Sequence, residues 1–127
     1  MLTFEVKGYT GGAVVIKCEY RGTYRGNEKY FCKGTAADLI SCKDQIKTDL
    51  KNQWVNDGRF SLYDNTTGTF FMVIFRDLTP KDAGKYCCAV DRFWSKDSYK
   101  ELDLNINEGE NCKNVKVQAC FKCEVFL

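Results

Sequence analysis

DAGKYCCAV, residues Asp82 to Val90, sets two cysteines, Cys87 and Cys88, side by side in a run of strand-like composition. Neighbouring residues of an extended segment point to opposite faces of a sheet. One cysteine is therefore open to the core and the other is not. Around this stretch, short alternating segments recur: Leu2, Phe4 and Val6; Val14, Ile16, Cys18 and Tyr20; Phe60 and Leu62; Phe71, Val73 and Phe75; Leu102, Leu104 and Ile106. Period two repeated in this way argues an all-β, antiparallel sandwich. Gly11 and Gly12, Asp57 and Gly58, and Thr67 and Gly68 supply turns, and the only proline, Pro80, falls in the loop before the cysteine pair. No helix of ordinary length is readable, and Ala36 to Ile40 makes at most one turn.

At 127 residues the chain can bury one real core but not two. A net charge of +2 from 19 basic and 17 acidic residues, with no run of like charge, argues against nucleic acid as a partner. Eight cysteines favour a disulfide framework in an oxidising, extracellular setting. The absence of histidine removes the commonest general base and metal ligand, so imidazole-dependent catalysis is excluded and a binding module, not an enzyme, is expected. Cys120 and Cys123 in CFKC have redox or zinc spacing but form a single pair with no second motif. With no signal sequence and no apolar run of bilayer length, the chain reads as an ectodomain stripped of both. A sequon at Asn65, in DNTTG, fits a secretory history.

The D-x-G-x-Y-x-C pattern of Asp82, Gly84, Tyr86 and Cys88 resembles that of immunoglobulin domains, in which the tyrosine makes a corner and the cysteine bridges the sheets. The resemblance implies a disulfide-stabilised variable-type sandwich with a Cys18–Cys88 bridge, and Arg59 of GRFSLYD pairing with Asp82 in a largely sequestered ion pair at its base. Residues 1–107 resemble more narrowly the variable-type domains of the polymeric immunoglobulin receptor and its leukocyte-receptor relatives, through GGAVVIKCEY, EKYFCKG, ISCKD, DGRFSLYD and FRDLTPKDAGKYCCAV. These relatives are type I plasma-membrane proteins. Cys32, just after the core aromatic of the third strand, and Cys42, ten positions on, match the family's extra local bridge. The chain departs from the family at Phe31, where tryptophan is usual, and at Cys87, where another aromatic is usual. YKELDLNIN lacks the glycine bulge of antigen-receptor domains, so antibody-like pairing is not expected.

With Cys88 and Phe31 inward, Cys87 and Cys32 face outward on adjacent strands. Cys87, Cys112, Cys120 and Cys123 remain, with three intramolecular pairings open. We expect Cys87 to pair with Cys112, leaving Cys120 and Cys123 to close a local loop or link a second chain; the alternative is a free Cys87 thiol shielded by Trp94. Residues 108–127 read as a linker, GEN, and a strand-like tail, either a fragment of a second immunoglobulin domain or a membrane-proximal stalk. In TFFMVIFRDL the outward positions Phe70, Met72 and Ile74 are apolar as well, a stripe that calls for cover by the tail or by a second copy in a homodimer.

Loops at one end of such a sandwich carry recognition. The first, RGTYRGNEK, brings Arg21, Tyr24, Arg25 and Lys29; the second is near IKTDLKNQWVND; the third is DRFWSKDSY. Phe93 and Trp94 cannot both enter the core easily, so one is expected as a solvent-facing anchor, unless Trp94 folds over Cys87. Arg92 and Lys96 beside them resemble an interfacial pattern of aromatics and bases meeting phosphate. By resemblance to the mucin-type T-cell immunoglobulin receptors, Asp91 and Asp97 are the candidate ligands for calcium, and no other cofactor is expected. The expected partner is a phospholipid headgroup; polymeric immunoglobulin, or a soluble protein linked into oligomers by its spare cysteines, are the alternatives.

Overall fold

The computed structural model describes residues 4–35, 41–93 and 95–111. Among the described residues nine strands form two sheets: β1 Phe4–Thr10, β2 Val14–Glu19, β3 Lys29–Lys33, β4 Lys43–Thr48, β5 Trp54–Asp57, β6 Phe60–Asn65, β7 Phe70–Phe75, β8 Gly84–Val90 and β9 Ser98–Asn111. One sheet runs β1-β9-β8-β3-β4 and the other β2-β7-β6-β5. All neighbours are antiparallel except β1 and β9, which pair in parallel. Single 3-10 turns at Gly22–Tyr24 and Pro80–Asp82 are the helical segments among the described residues.

The alternating segments form strands because each delivers one apolar face to a shared interior. Val14, Ile16 and Cys18 of β2 face Phe71, Val73 and Phe75 of β7 across their common edge, and Phe60 and Leu62 of β6 extend that layer. Phe31, Tyr86, Cys88, Leu102 and Leu104 close it from the other sheet. Phe31 fills the place of the expected tryptophan by stacking on Tyr86, with ring centroids 5.2 Å apart, and by meeting Phe60 at 6.2 Å. Burying an aromatic of this size contributes about 1.5–3 kcal/mol.

The register between β3 and β8 sets Phe31 opposite Cys88 and Cys32 opposite Cys87. Cys88 is bonded to Cys18, and Cys32 to Cys42, as the resemblance implied. Cys87 is a buried free thiol, so the expected bridge to Cys112 is not formed. Cys87 faces Glu101 on β9, and that strand stays extended to Asn107, six residues and roughly 20 Å further on. Asn111 then pairs with Thr10, beside Tyr9, the partner of Asn107, which holds the strand's end at the base of the sandwich. Cys112, Cys120, Cys123 and the rest of the expected tail lie outside the described residues.

The GEN stretch expected as a linker is instead the end of β9. IKTDLKNQWVND is likewise only partly loop, because Ile46–Thr48 ends β4 and Trp54–Asp57 forms β5. Both are edge strands with one solvated face, so they carry few apolar residues and show little alternation. Gly58, at φ +57°, makes the turn from β5 to β6 in a left-handed conformation that a side chain resists.

At the base, Arg59 holds Asp82 with two bonds of 2.6 and 2.9 Å. The Arg59 side chain is 40% exposed, so the pair is half-open rather than sequestered. Asp82 also accepts from the Thr79 backbone N–H at 2.8 Å, closing a capping box, and its carbonyl accepts the Tyr86 hydroxyl at 2.7 Å.

Candidate ligand-binding loops

The loops at the other end rest on a buried polar network. Lys29, expected among the bases of the first loop, instead begins β3 and points inward; it and Asp64 of β6 have fully buried side chains and meet at 2.7 Å. Asp64 also accepts from the Tyr20 hydroxyl at 2.7 Å and from Lys51 at 3.1 Å, while Lys29 donates to the Asn27 carbonyl at 2.8 Å. The Lys29 ammonium lies 4.2 Å from the Tyr20 ring centroid. Burial pushes this ammonium down to about 8 against the opposing pull of Asp64. The network was legible in principle: Asp64 continues the inward series Phe60, Leu62, and Lys29 shares the parity of Phe31. A charge on each of two facing inner surfaces implies a pair.

Above it the loops are laced together. Asn27 donates to the Asp91 carbonyl at 2.8 Å and the Asp91 N–H donates to the Glu28 carbonyl at 2.9 Å, joining first loop to third. Arg25 reaches the Thr66 carbonyl at 3.0 Å, and Asn52 donates to Thr66 Oγ1 at 2.9 Å. Asn65 turns its side-chain oxygen onto the Gly68 N–H at 2.9 Å, which places the sequon at the β6–β7 turn. Arg92 packs its guanidinium over the Tyr24 ring at 5.3 Å.

The third loop presents Phe93, 84% exposed, with Lys96 also exposed. Arg21 is exposed on the neighbouring first loop. Trp94 lies outside the described residues. The structure thus brings Tyr24 and Arg92 into contact and ties Arg25 to the β6–β7 turn. Asp97 accepts from the Tyr30 hydroxyl and, at 3.1 Å, from the Arg92 N–H. It closes the third loop with these bonds, and Asp91 is exposed beside it. Burial, then Asp97, pushes the Tyr30 phenol up. Among the described residues neither aspartate belongs to a group of three metal-ligating side chains; the one such group is Cys32, Cys42 and Cys87. The loops at this end carry the bases Arg21, Arg25, Arg92 and Lys96, and an acidic cleft is lined by Glu28, Asp44, Asp91 and Asp97 around Tyr30 and Lys47.

Comparison with known proteins agrees with this architecture. The chain matches the immunoglobulin V-set domain over residues 4–107. It is 32% identical over 116 residues to CMRF35-like molecule 9 of Mus musculus, covering 91% of this chain and 34% of that protein. It is 30% identical over 106 residues to the mouse CMRF35-like molecule 2, covering 80% and 53%. The chain therefore spans about a third to a half of these relatives. Among solved structures, the NK cell receptor Nkp44 aligns with a TM-score of 0.73 at 21% identity, covering 84% of this chain and all of that one. The ectodomain of the teleost fish polymeric immunoglobulin receptor aligns at 0.66 and 27% identity, covering 84% and 48%. Disulfides, tyrosine corner and strand order agree with these matches, and the chain belongs to the immunoglobulin V-set family, with the CMRF35-like leukocyte receptors as its relatives.

Proposed function

We propose that the domain is the ligand-binding module of a type I receptor ectodomain and that its loop end docks on membrane phospholipid headgroups. The observation that carries this reading is Phe93, 84% exposed at the tip of the third loop between Arg92 and Lys96, with Arg21 exposed on the first loop. An aromatic tip can enter the headgroup boundary while neighbouring cations meet phosphate. The rigid base of loop-to-loop bonds lowers the ordering penalty of docking. Asp97 already accepts two hydrogen bonds, so the third loop is set without an ion, and binding is expected to survive chelation of calcium.

Flotation with phosphatidylserine-containing vesicles tests this. Phe93→Ala should reduce bound protein about tenfold with the melting temperature unchanged. Charge removal at Arg21 and Lys96 should weaken binding in a salt-dependent way. Vesicle binding indifferent to Phe93, or binding to polymeric immunoglobulin without binding to vesicles, would overturn the lipid reading.

A further inference from the structure

Cys87 is fully buried on the outer side of its sheet, in a small cluster with Tyr30, Cys32, Cys42, Ala89 and Tyr99 that is separate from the main core. Its sulfur and those of Cys32 and Cys42 all lie within 4.8 Å of one another. Two of the three are bonded, so a thiol sits against a disulfide it can attack.

We propose that Cys87 is an intramolecular exchange partner of the Cys32–Cys42 bridge. The Cys87 thiolate attacks Cys32 Sγ, the Cys32–Cys87 bond forms, the Cys32–Cys42 bond breaks, and the proton given up by Cys87 ends on Cys42. One disulfide replaces another, and no external oxidant or reductant is consumed.

Three observations favour this direction. Cys32 and Cys87 are directly opposed on antiparallel strands. Opposed residues have Cα atoms about 4.5–5.5 Å apart, within the roughly 4.4–6.8 Å that a disulfide spans. Cys42 is 8% exposed and Cys32 fully buried, so the thiolate leaving from Cys42 is the better solvated of the two. Gly34 makes room for the cluster: a Cβ there would lie 3.0 Å from the Cys42 Cα and 3.1 Å from its sulfur, at a φ of +151°. Its carbonyl accepts the Cys87 thiol at 3.8 Å.

Exchange changes the recognition end as well as the bonding. The Cys32–Cys42 bridge joins residues 10 positions apart, and Cys42 lines the acidic cleft with Glu28, Tyr30, Asp44 and Asp97. The exchanged form releases that constraint and places a thiol in the wall of the cleft. Burial, with a contribution from Glu101 on β9 and an opposing one from Lys85 on β8, pushes the Cys87 thiol up to about 11. Its other neighbours are Tyr30 and Cys32 of β3, Tyr99 of β9 and Cys42. Exchange is therefore slow at neutral pH and quickens about tenfold per pH unit between 7 and 10.

Trypsin separates the three cysteines into Tyr30–Lys33, Gly34–Lys43 and Tyr86–Arg92. Wild-type protein is held at pH 9.5 without reductant, with iodoacetamide present to trap each thiol as it appears, then digested. The expected result is an alkylated Gly34–Lys43 peptide and a link between Tyr30–Lys33 and Tyr86–Arg92, both lost in Cys87→Ser. In Cys42→Ser refolded with oxidised glutathione, which takes up the two electrons and two protons, the Cys32–Cys87 link should form. A Tyr30–Lys33 peptide still joined to Gly34–Lys43, with label confined to Tyr86–Arg92, would overturn the proposal. So would a Cys42→Ser protein with Cys32 and Cys87 both alkylated.

Discussion

Asp64 answers three donors with no exposure to water: the Tyr20 hydroxyl and the ammonium groups of Lys29 and Lys51. Asp64→Ala strands the buried Lys29 charge and should destabilise by about 3–5 kcal/mol at pH 6.5. Lys29 already sits near 8, so the variant can relieve itself by losing that proton, and the loss should shrink at pH 9. Urea unfolding at both pH values checks this; an equal loss at each would show that Lys29 is not the stranded charge. Asp82 is a milder case. Removing half-exposed Arg59 should cost about 1 kcal/mol. Asp82→Ala also removes the Thr79 cap and should cost about 2–3 kcal/mol. A melting temperature unchanged in Asp82→Ala would count against the corner as a stabilising unit.

At the scale of the element, β7 shows why its outward apolar stripe is tolerable. Phe70, Met72 and Ile74 are each half-buried. Lys17 sets its ammonium 4.4 Å from the Phe70 ring, and Met72 lies in one row with Lys17, Tyr63 and Trp54. Trp54 meets Tyr63 at 5.3 Å, so Tyr63→Ala should destabilise by roughly 0.5–1 kcal/mol in urea. No change would mean that the row does not pack in solution. The stripe was legible from alternation, but its cover was not, since Lys17 and Tyr63 become neighbours of Met72 only through strand register. For the same reason β2, β6, β7 and β8 could be read from the sequence, while β4 and β5 could not. KDQIKT buries only Ile46 and Thr48, and no local period marks it. Phe93 and its flanking bases were readable because a loop tip is local; the Lys29–Asp64 pair joins residues 35 apart, across two sheets.

Across the whole molecule, ionisable groups pull stability in opposite directions as pH changes, and the signs can be added. Burial alone would raise the Asp82 carboxyl, but Arg59 and the Thr79 bonds outweigh it and hold it below its ordinary 3.8. Its contribution is therefore present above that value and is lost as pH falls through the lower folded one. On the alkaline side, between about 8 and 10.5 the unfolded chain keeps a Lys29 proton that the folded chain has lost, so this group favours folding as pH rises. Cys87 and the phenols of half-buried Tyr20 and of buried Tyr30 and Tyr86 act the other way. Burial pushes the thiol from 9.0 to about 11 and each phenol well above 10.0, so above those ordinary values the unfolded chain ionises first and stability falls. Four such groups against one lysine predict a plateau from neutral pH to about 9, then a decline that steepens above 10. Urea midpoints measured from pH 3 to 11 test it. A midpoint still rising beyond pH 10 would show that the phenols ionise within the fold, and with that the buried bonds of Tyr20 and Tyr86 to their aspartates would lose their place in the stability of both ends.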